Sequence, residues 1–395
     1  MTGHRPEVAD VIVQAGATYQ ATYGASASQR RILRDLVRCR TAALGGHTQR
    51  CADCGHEVIS YNSCRNRHCP KCQAAARAAW LAARAAELLP VPYFHVVFTL
   101  PAPLGPLALQ NKRLLYGLLF RAAATTLRTI ARDPQHLGAD IGFLTVLPTW
   151  GQTLQHHPHL HCVVPGGGLA PGEARWVACR PHFFLPVRVL SRCFRHTFLT
   201  LLRAAVRQGK LQYHGQLAAL AAPTAGVRWV HALEHVEWVV YAKPPFGGAA
   251  QVLKYLARYT HRVAIANQRL VSVTDGHVTF RWKDYAHGHR SRTLTLDAVE
   301  FLRRFLLHRL PRGFQRLRQY GLLANRRRTT HLARCRDLLG QPEGAAAAAP
   351  SPPPDATAPR DACPACGTGR LTLVAILPAQ PALALGARPR PWNTS

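Results

Sequence analysis

The chain has 395 residues and carries 50 Lys plus Arg against 19 Asp plus Glu, a formal charge of +31. Its length provides for two or three domains, and a field of that sign gathers polyanions, because phosphate neutralisation supplies most non-specific nucleic-acid affinity. No apolar run reaches the length of a membrane helix, no apolar leader opens the chain, and no GxxxxGK[ST] phosphate loop is present. The expectation is a cytoplasmic, nucleoid-associated protein without a membrane partner. Its twelve cysteines then serve as metal ligands or free thiols rather than disulfides.

Residues 1–90 hold most of the paired cysteines. Cys51-x2-Cys54 and Cys69-x2-Cys72 enclose fourteen residues, close to the spacing of a four-cysteine zinc ribbon. Each CxxC turns two thiolates toward one point, and two such knuckles complete a tetrahedron. A second set, Cys39, His47, Cys64 and His68, interleaves with the first, so one or two zinc ions are expected. A closed four-ligand site leaves no open position, which assigns it a structural and DNA-docking role. Arg65, Arg67 and Lys71, threaded between the ligands, are expected to face phosphates. An Ala/Arg helix over 73–89 follows and stops at Pro90.

From Pro92 the texture changes to strands and longer helices. Residues 93–100 read as a buried strand, 107–130 as a helix and 141–147 as a second strand. Next comes His157-Pro158-His159-Leu160-His161, a strand ended by Pro165 and three glycines. Side chains alternate along a strand, so His159 and His161 share a face while Leu160 points to the core. Two neutral imidazoles on one face form half of a divalent-metal site. A third ligand is needed; Gln152 is the choice, with His95, His156 and His157 competing.

Helix 198–206 and strand 236–241 lead through the turn at 244–248 into a helix carrying Tyr255 and Tyr259. At about 100° per residue, Val252, Leu253, Leu256, Thr260 and Val263 form its buried stripe. Lys254, Arg258 and Arg262 form a basic stripe, and the two phenols lie one turn apart between them. A free phenol has a pKa near ~10, so nucleophilic attack on a phosphate needs metal polarisation or nearby cations. Residues 270–274 and 277–282 read as a hairpin, because Asp275-Gly276 favours a type I′ turn. The stretch 303–339 reads as basic and helical, and 341–360 as an Ala/Pro-rich linker. The C-terminal Cys363-Pro-Ala-Cys366 is half a ribbon. It could borrow His331 and Cys335, pair in a dimer, or be vestigial.

Taken together, Tyr61–Gln73, Val97–Pro101, Trp150–Gln152, His157–His161, Tyr241–Pro245 and the segment from Tyr255 to Arg262 resemble the rolling-circle insertion-sequence 91 transposases. These are two-tyrosine HUH endonucleases, in which U is a hydrophobic residue. The resemblance spans roughly residues 30–340. It implies an α+β fold: a zinc-binding, DNA-docking domain over 1–90, then a catalytic antiparallel sheet with flanking helices over 91–300. A basic helical segment over 301–340 and a disordered tail over 341–395 complete the expected order. It further implies that His159 and His161 hold Mg²⁺ or Mn²⁺ and that Tyr255 and Tyr259 make 5′-phosphotyrosine links to single-stranded DNA, freeing a 3′-hydroxyl for host replication machinery.

A replication initiator or relaxase would use the same chemistry, but the zinc region and the missing motor favour the transposase. A histidine-triad nucleotide hydrolase would use His157, His159 and His161 on one strand, where Pro158 sits badly, and it gains little from the charge. A non-enzymatic zinc DNA-binding protein leaves the aligned histidines and tyrosines unexplained. A three-carboxylate transposase is disfavoured because the central region has few acids.

Overall fold

The structure is a computed structural model that describes residues 5–180, 182, 184–243, 251, 253, 257, 260, 264–285, 287–288, 290–340 and 362–380. The fold is mixed α+β with antiparallel sheets. Its centre is a five-stranded sheet made from β3 (Tyr93–Thr99), β4 (Gly142–Val146), β5 (His159–Pro165), β8 (Val240–Lys243) and β12 (Leu317–Gly321). Their order is β12-β4-β5-β3-β8, so β5 lies in the middle, and every pairing is antiparallel.

Alternation along these strands separates two faces. On one, Phe94, Val96 and Phe98 of β3 and Leu160, Cys162 and Val164 of β5 enter the main core. Helices α5 (Lys112–Arg132) and α6 (Val187–Arg207) cover that face. Asn111 separates α5 from the short α4 (Gly105–Gln110), which divides the single helix expected over 107–130. Phe98, Phe194, Phe198 and Trp238 pack with ring centroids 4.9 to 6.1 Å apart. The other face carries the histidines. Leu144 and Val163 on that side pack with Tyr93 and with Trp80 of α3 (Gln73–Ala85).

A second core joins the N-terminal helices to residues 264–306. Helix α1 (Val8–Tyr23) is capped by reciprocal Glu7 and Asp10 bonds, and α2 (Ala27–Arg38) by a Ser26–Gln29 capping box. Their apolar faces meet α8 (Ala298–Leu307) and the sheet of β9 (Leu270–Thr274), β10 (His277–Asp284) and β11 (Arg290–Asp297). Asp275 and Gly276 both have positive φ, 49° and 74°, as a type I′ hairpin requires. Leu89 and Val91 share one small apolar cluster, and Glu300 lies inside α8.

Two further expectations are corrected. The stretch 303–339 is not one helical segment: Pro311 and Gly313 end the helical run, β12 pairs with β4, and helix resumes at α9 (Arg328–Leu338). Pro lacks the N–H and clashes with the preceding turn, so the break was readable. Nor is the region past 341 only a tail. Residues 362–380 are ordered, and β13 (Leu371–Leu377) pairs with β1 (Gly46–Cys51), which in turn pairs with β2 (Glu57–Tyr61). The short β6 (Gly167–Leu169) and β7 (Trp176–Ala178) form a separate ribbon, and α7 (Pro223–Ala232) packs beside α6.

Candidate active site and cysteine clusters

Strand β5 begins at His159, directly after Pro158. Proline cannot donate to a ladder, so His157 stays outside the strand and three histidines do not line up on it. His159 and His161 do share a face, with ring centroids 4.9 Å apart. Register places Thr99 opposite His159 and Val97 opposite His161, which brings the neighbouring His95 diagonally onto the same face. The His95 and His161 rings stack at 4.9 Å, with His95 Nε2 2.6 Å from His161 Nδ1. Tyr241 and Lys243 of β8, in register with Val97 and His95, complete this side.

Burial sets the charge state here. His161 is only 4% exposed, and desolvation holds its pKa well below the usual imidazole range, with His159 and His95 adding to the effect. Burial also lowers His95 to about 4 and His159 to about 4, the latter helped by His157. Neutral imidazoles retain a lone pair. His159 Nδ1–H donates to the His157 carbonyl at 2.7 Å, which fixes the tautomer and leaves the lone pair on Nε2. Neutral imidazole nitrogens of this kind are ligands for divalent cations in general.

Gln152 is engaged elsewhere. Its side-chain oxygen accepts from the Lys283 backbone N–H at 3.4 Å, and its carbonyl accepts from Arg269 at 2.6 Å. The three-stranded sheet thus holds Gln152, and His95 is the residue brought against the histidine pair. His156, another competitor, bonds the Tyr116 hydroxyl at 2.8 Å.

Tyr255, Tyr259, Lys254, Arg258 and Arg262 lie outside the described residues. Their helix is represented by Gln251, Leu253, Ala257 and Thr260, all helical. Leu253, Ala257 and Thr260 are buried, as the angular reading required of Leu253 and Thr260. Arg316, just before β12, donates to the Thr260 carbonyl and ties this helix to the sheet edge.

The cysteines group differently from the expected sets. Cys39, Cys64, Cys69 and Cys72 form one cluster, with the ligand atoms all within 4.8 Å of one another. Sulfur separations include 3.2 Å for Cys39–Cys72, 3.5 Å for Cys64–Cys72 and 3.5 Å for Cys69–Cys39. Four thiolates at a Zn–S distance of about 2.3 Å stand about 3.8 Å apart, so the set fits zinc. Thiol hydrogen bonds from Cys64 and Cys69 lower the pKa of Cys39. Cys51 and Cys54 instead meet Cys363 and Cys366.

The histidines proposed as zinc ligands join neither cluster. His47 sits on β1 in register with Ser60 and Ile376. His68 packs edge-on against Phe305 at 6.4 Å, and burial lowers it to about 3. The error was one of proximity: Cys64-x3-His68 is close in sequence, but Cys39 reaches the site from the end of α2. Of the three cations expected to face phosphates, Arg65 and Arg67 are exposed. Lys71 pairs with Glu7 at 2.6 Å. His331 and Cys335, offered as partners for the last CxxC, lie on α9, where Cys335 enters a small apolar core and His331 faces Glu173 at 3.4 Å.

Comparison with known proteins follows the same division. A "Transposase zinc-binding domain" family profile of the insertion-sequence 91 type matches residues 11–100, and a profile described as "Putative transposase" matches residues 142–330. The "Putative transposase y4qJ" of Sinorhizobium fredii is 54% identical over 405 aligned positions, covering 99% of this chain and 99% of the relative. This chain belongs to the insertion-sequence 91 type of transposases. The transposase is also 29% identical to the "Transposase for insertion sequence element IS801" of Pseudomonas savastanoi pv. phaseolicola, over 74% of this chain and 69% of that one. No solved structure matches. The zinc-domain profile contains all of the Cys39 cluster but only half of the other, and the second profile contains the histidine strand. Among the described residues, no helix of the transposase is long and apolar enough to cross a membrane.

Proposed function

We propose that this transposase nicks single-stranded DNA at the ends of its element and at its target through a covalent 5′-phosphotyrosine intermediate. The observation that carries the reading is the pair His159 and His161 on one face of the central strand. It lies within the segment that resembles the transposase profile. His159 and His161 would hold a divalent cation, Mg²⁺ or Mn²⁺, with His95 supporting His161. When bound, such a cation polarises a phosphoryl oxygen and offsets charge that develops on it.

The chain's own residues supply the remaining chemistry. The phenol oxygen of Tyr255 or Tyr259 forms a bond to phosphorus, and the bond from phosphorus to the 3′-oxygen breaks. The phenol proton ends on that oxygen, giving a 3′-hydroxyl, and the count of phosphodiester bonds is unchanged. A second 3′-hydroxyl reverses the step and transfers the strand. Lys254, Arg258 and Arg262 would neutralise nearby phosphates and favour the phenolate, while Arg65 and Arg67 would dock the duplex or its displaced strand. The freed 3′-hydroxyl suits extension by host replication machinery.

The test uses labelled single-stranded DNA from the element's ends. Wild-type protein should give a gel-stable, nuclease-resistant adduct. Tyr255→Phe/Tyr259→Phe should give none, while ring packing is kept. A double variant that still forms the adduct overturns the assignment, and loss in only one single variant indicates a one-tyrosine mechanism.

A further inference from the structure

We infer that Cys51, Cys54, Cys363 and Cys366 form a second zinc site, a clasp that fastens the C-terminal end of the chain to its N-terminal hairpin. The sulfur of Cys51 lies 3.7 Å from that of Cys366, and the sulfur of Cys54 lies 3.6 Å from that of Cys363, across 315 and 309 residues of sequence. These separations match tetrahedral thiolates around zinc, about 3.8 Å apart.

The two halves are built alike. Each reads Cys-x2-Cys-Gly, with Gly55 at φ 70° and Gly367 at φ 74°. Gly55 N–H donates to the Cys51 carbonyl at 3.1 Å, and Gly367 N–H donates to the Cys363 carbonyl at 2.9 Å. A glycine in the left-handed region turns each loop so that both sulfurs face one point. Backbone N–H groups then solvate the sulfurs: Ala365 N–H reaches Cys363 at 3.4 Å, and Gly369 N–H reaches Cys366 at 3.3 Å. The Thr368 hydroxyl donates to the same Cys366 sulfur at 3.7 Å. Gly369 itself is an inner wall, since a Cβ there would stand 2.3 Å from the Cys51 sulfur.

Apolar burial does not explain why β13 stays on β1. Leu373, Val374 and Ile376 are 62%, 48% and 77% exposed. The strand is held by its ladder to β1 and by the Cys knuckle next to it. A two-stranded hairpin such as β1–β2 is marginal alone, and closing a loop of some 300 residues costs entropy that a metal clip offsets. Zinc binding is therefore the term that completes this three-stranded unit, and the zinc region is assembled from both ends of the transposase.

The test measures zinc in full-length protein purified under reductant. Wild type should hold two zinc ions per chain, and Cys363→Ser/Cys366→Ser should hold one. A second measurement guards against misfolding: a protease site is inserted after Ala347 and cut in the intact protein. The C-terminal fragment should stay with the rest on size exclusion, and should separate after chelation or in the Cys363→Ser/Cys366→Ser background. Two zinc ions in the double variant would overturn the clasp, as would release of the wild-type fragment with zinc present. Retention of the fragment after complete zinc removal would overturn it too.

Discussion

His95 on β3 and His161 on β5 meet through one hydrogen bond, Nε2 to Nδ1 at 2.6 Å. One proton serves both rings. If His161 donates it, the His161 Nε2 keeps its lone pair for a cation; if His95 donates it, that lone pair is lost. The tautomer of one ring is thus tied to that of the other.

His161→Ala should abolish nicking while DNA affinity stays nearly intact, because affinity is spread over many Lys and Arg contacts. His95→Phe should lower nicking roughly 10- to 100-fold and raise the Mg²⁺ concentration needed for half activity. The checks are a nicking titration in Mg²⁺ and a binding isotherm at fixed salt. Full cleavage by His161→Ala would make the histidine face structural.

The Cys39 cluster should be needed for folding of the N-terminal core. Cys39 and Cys69 are buried beside Ile32, Leu33 and Leu36 of α2, and structural zinc contributes on the order of 10 kcal/mol to small domains. Cys69→Ser should lose one zinc ion and lower the melting temperature, and chelation of wild type should do the same. Metal analysis of folded Cys69→Ser with unchanged zinc and stability would remove this role.

His308 should make stability fall in mild acid. Its Nε2–H donates to the Leu154 carbonyl at 3.0 Å, and its Nδ1 lies 3.2 Å from the Thr149 hydroxyl, so the neutral ring is fully engaged. Burial lowers it to about 3 from 6.5. Below pH 6.5 the unfolded chain binds the proton and the folded chain does not. The stability is complete above pH 6.5 and is lost as pH falls toward 3, at about 1.4 kcal/mol per pH unit. His308→Gln should flatten this slope in chemical denaturation at pH 4 to 7, and an unchanged slope would contradict the assignment.

Gly321→Ala should loosen β12. Gly321 has φ 57°, and a Cβ there would collide with the carbonyl oxygen of Ile141, the residue just before β4. The backbone cannot yield without breaking the β12–β4 ladder, so a loss of about 1–3 kcal/mol is expected. A wild-type melting curve for this variant would show that the edge strand adapts.

Local rules made much of this transposase legible in its sequence. Alternation gave the shared face of His159 and His161, the Asp275-Gly276 pair gave its hairpin, and 3.6-residue spacing gave the buried Leu253 and Thr260. Each depends on residues within a few positions of one another. A CxxC is equally local: it announces a knuckle but not which knuckle it meets. That choice belongs to tertiary packing, which brought Cys39 to Cys64, Cys69 and Cys72, and brought Cys363 and Cys366 back to Cys51 and Cys54. Packing also put His95, rather than Gln152, against His161, because the β3–β5 register sets cross-strand neighbours. Likewise it drew β12 out of a basic stretch by giving its backbone the unpaired edge of β4, where Arg318 lies 4.1 Å over Phe120. Composition and period fix what each segment can do alone; partners distant in the chain are chosen by the closed arrangement that satisfies backbone, thiolates and core together.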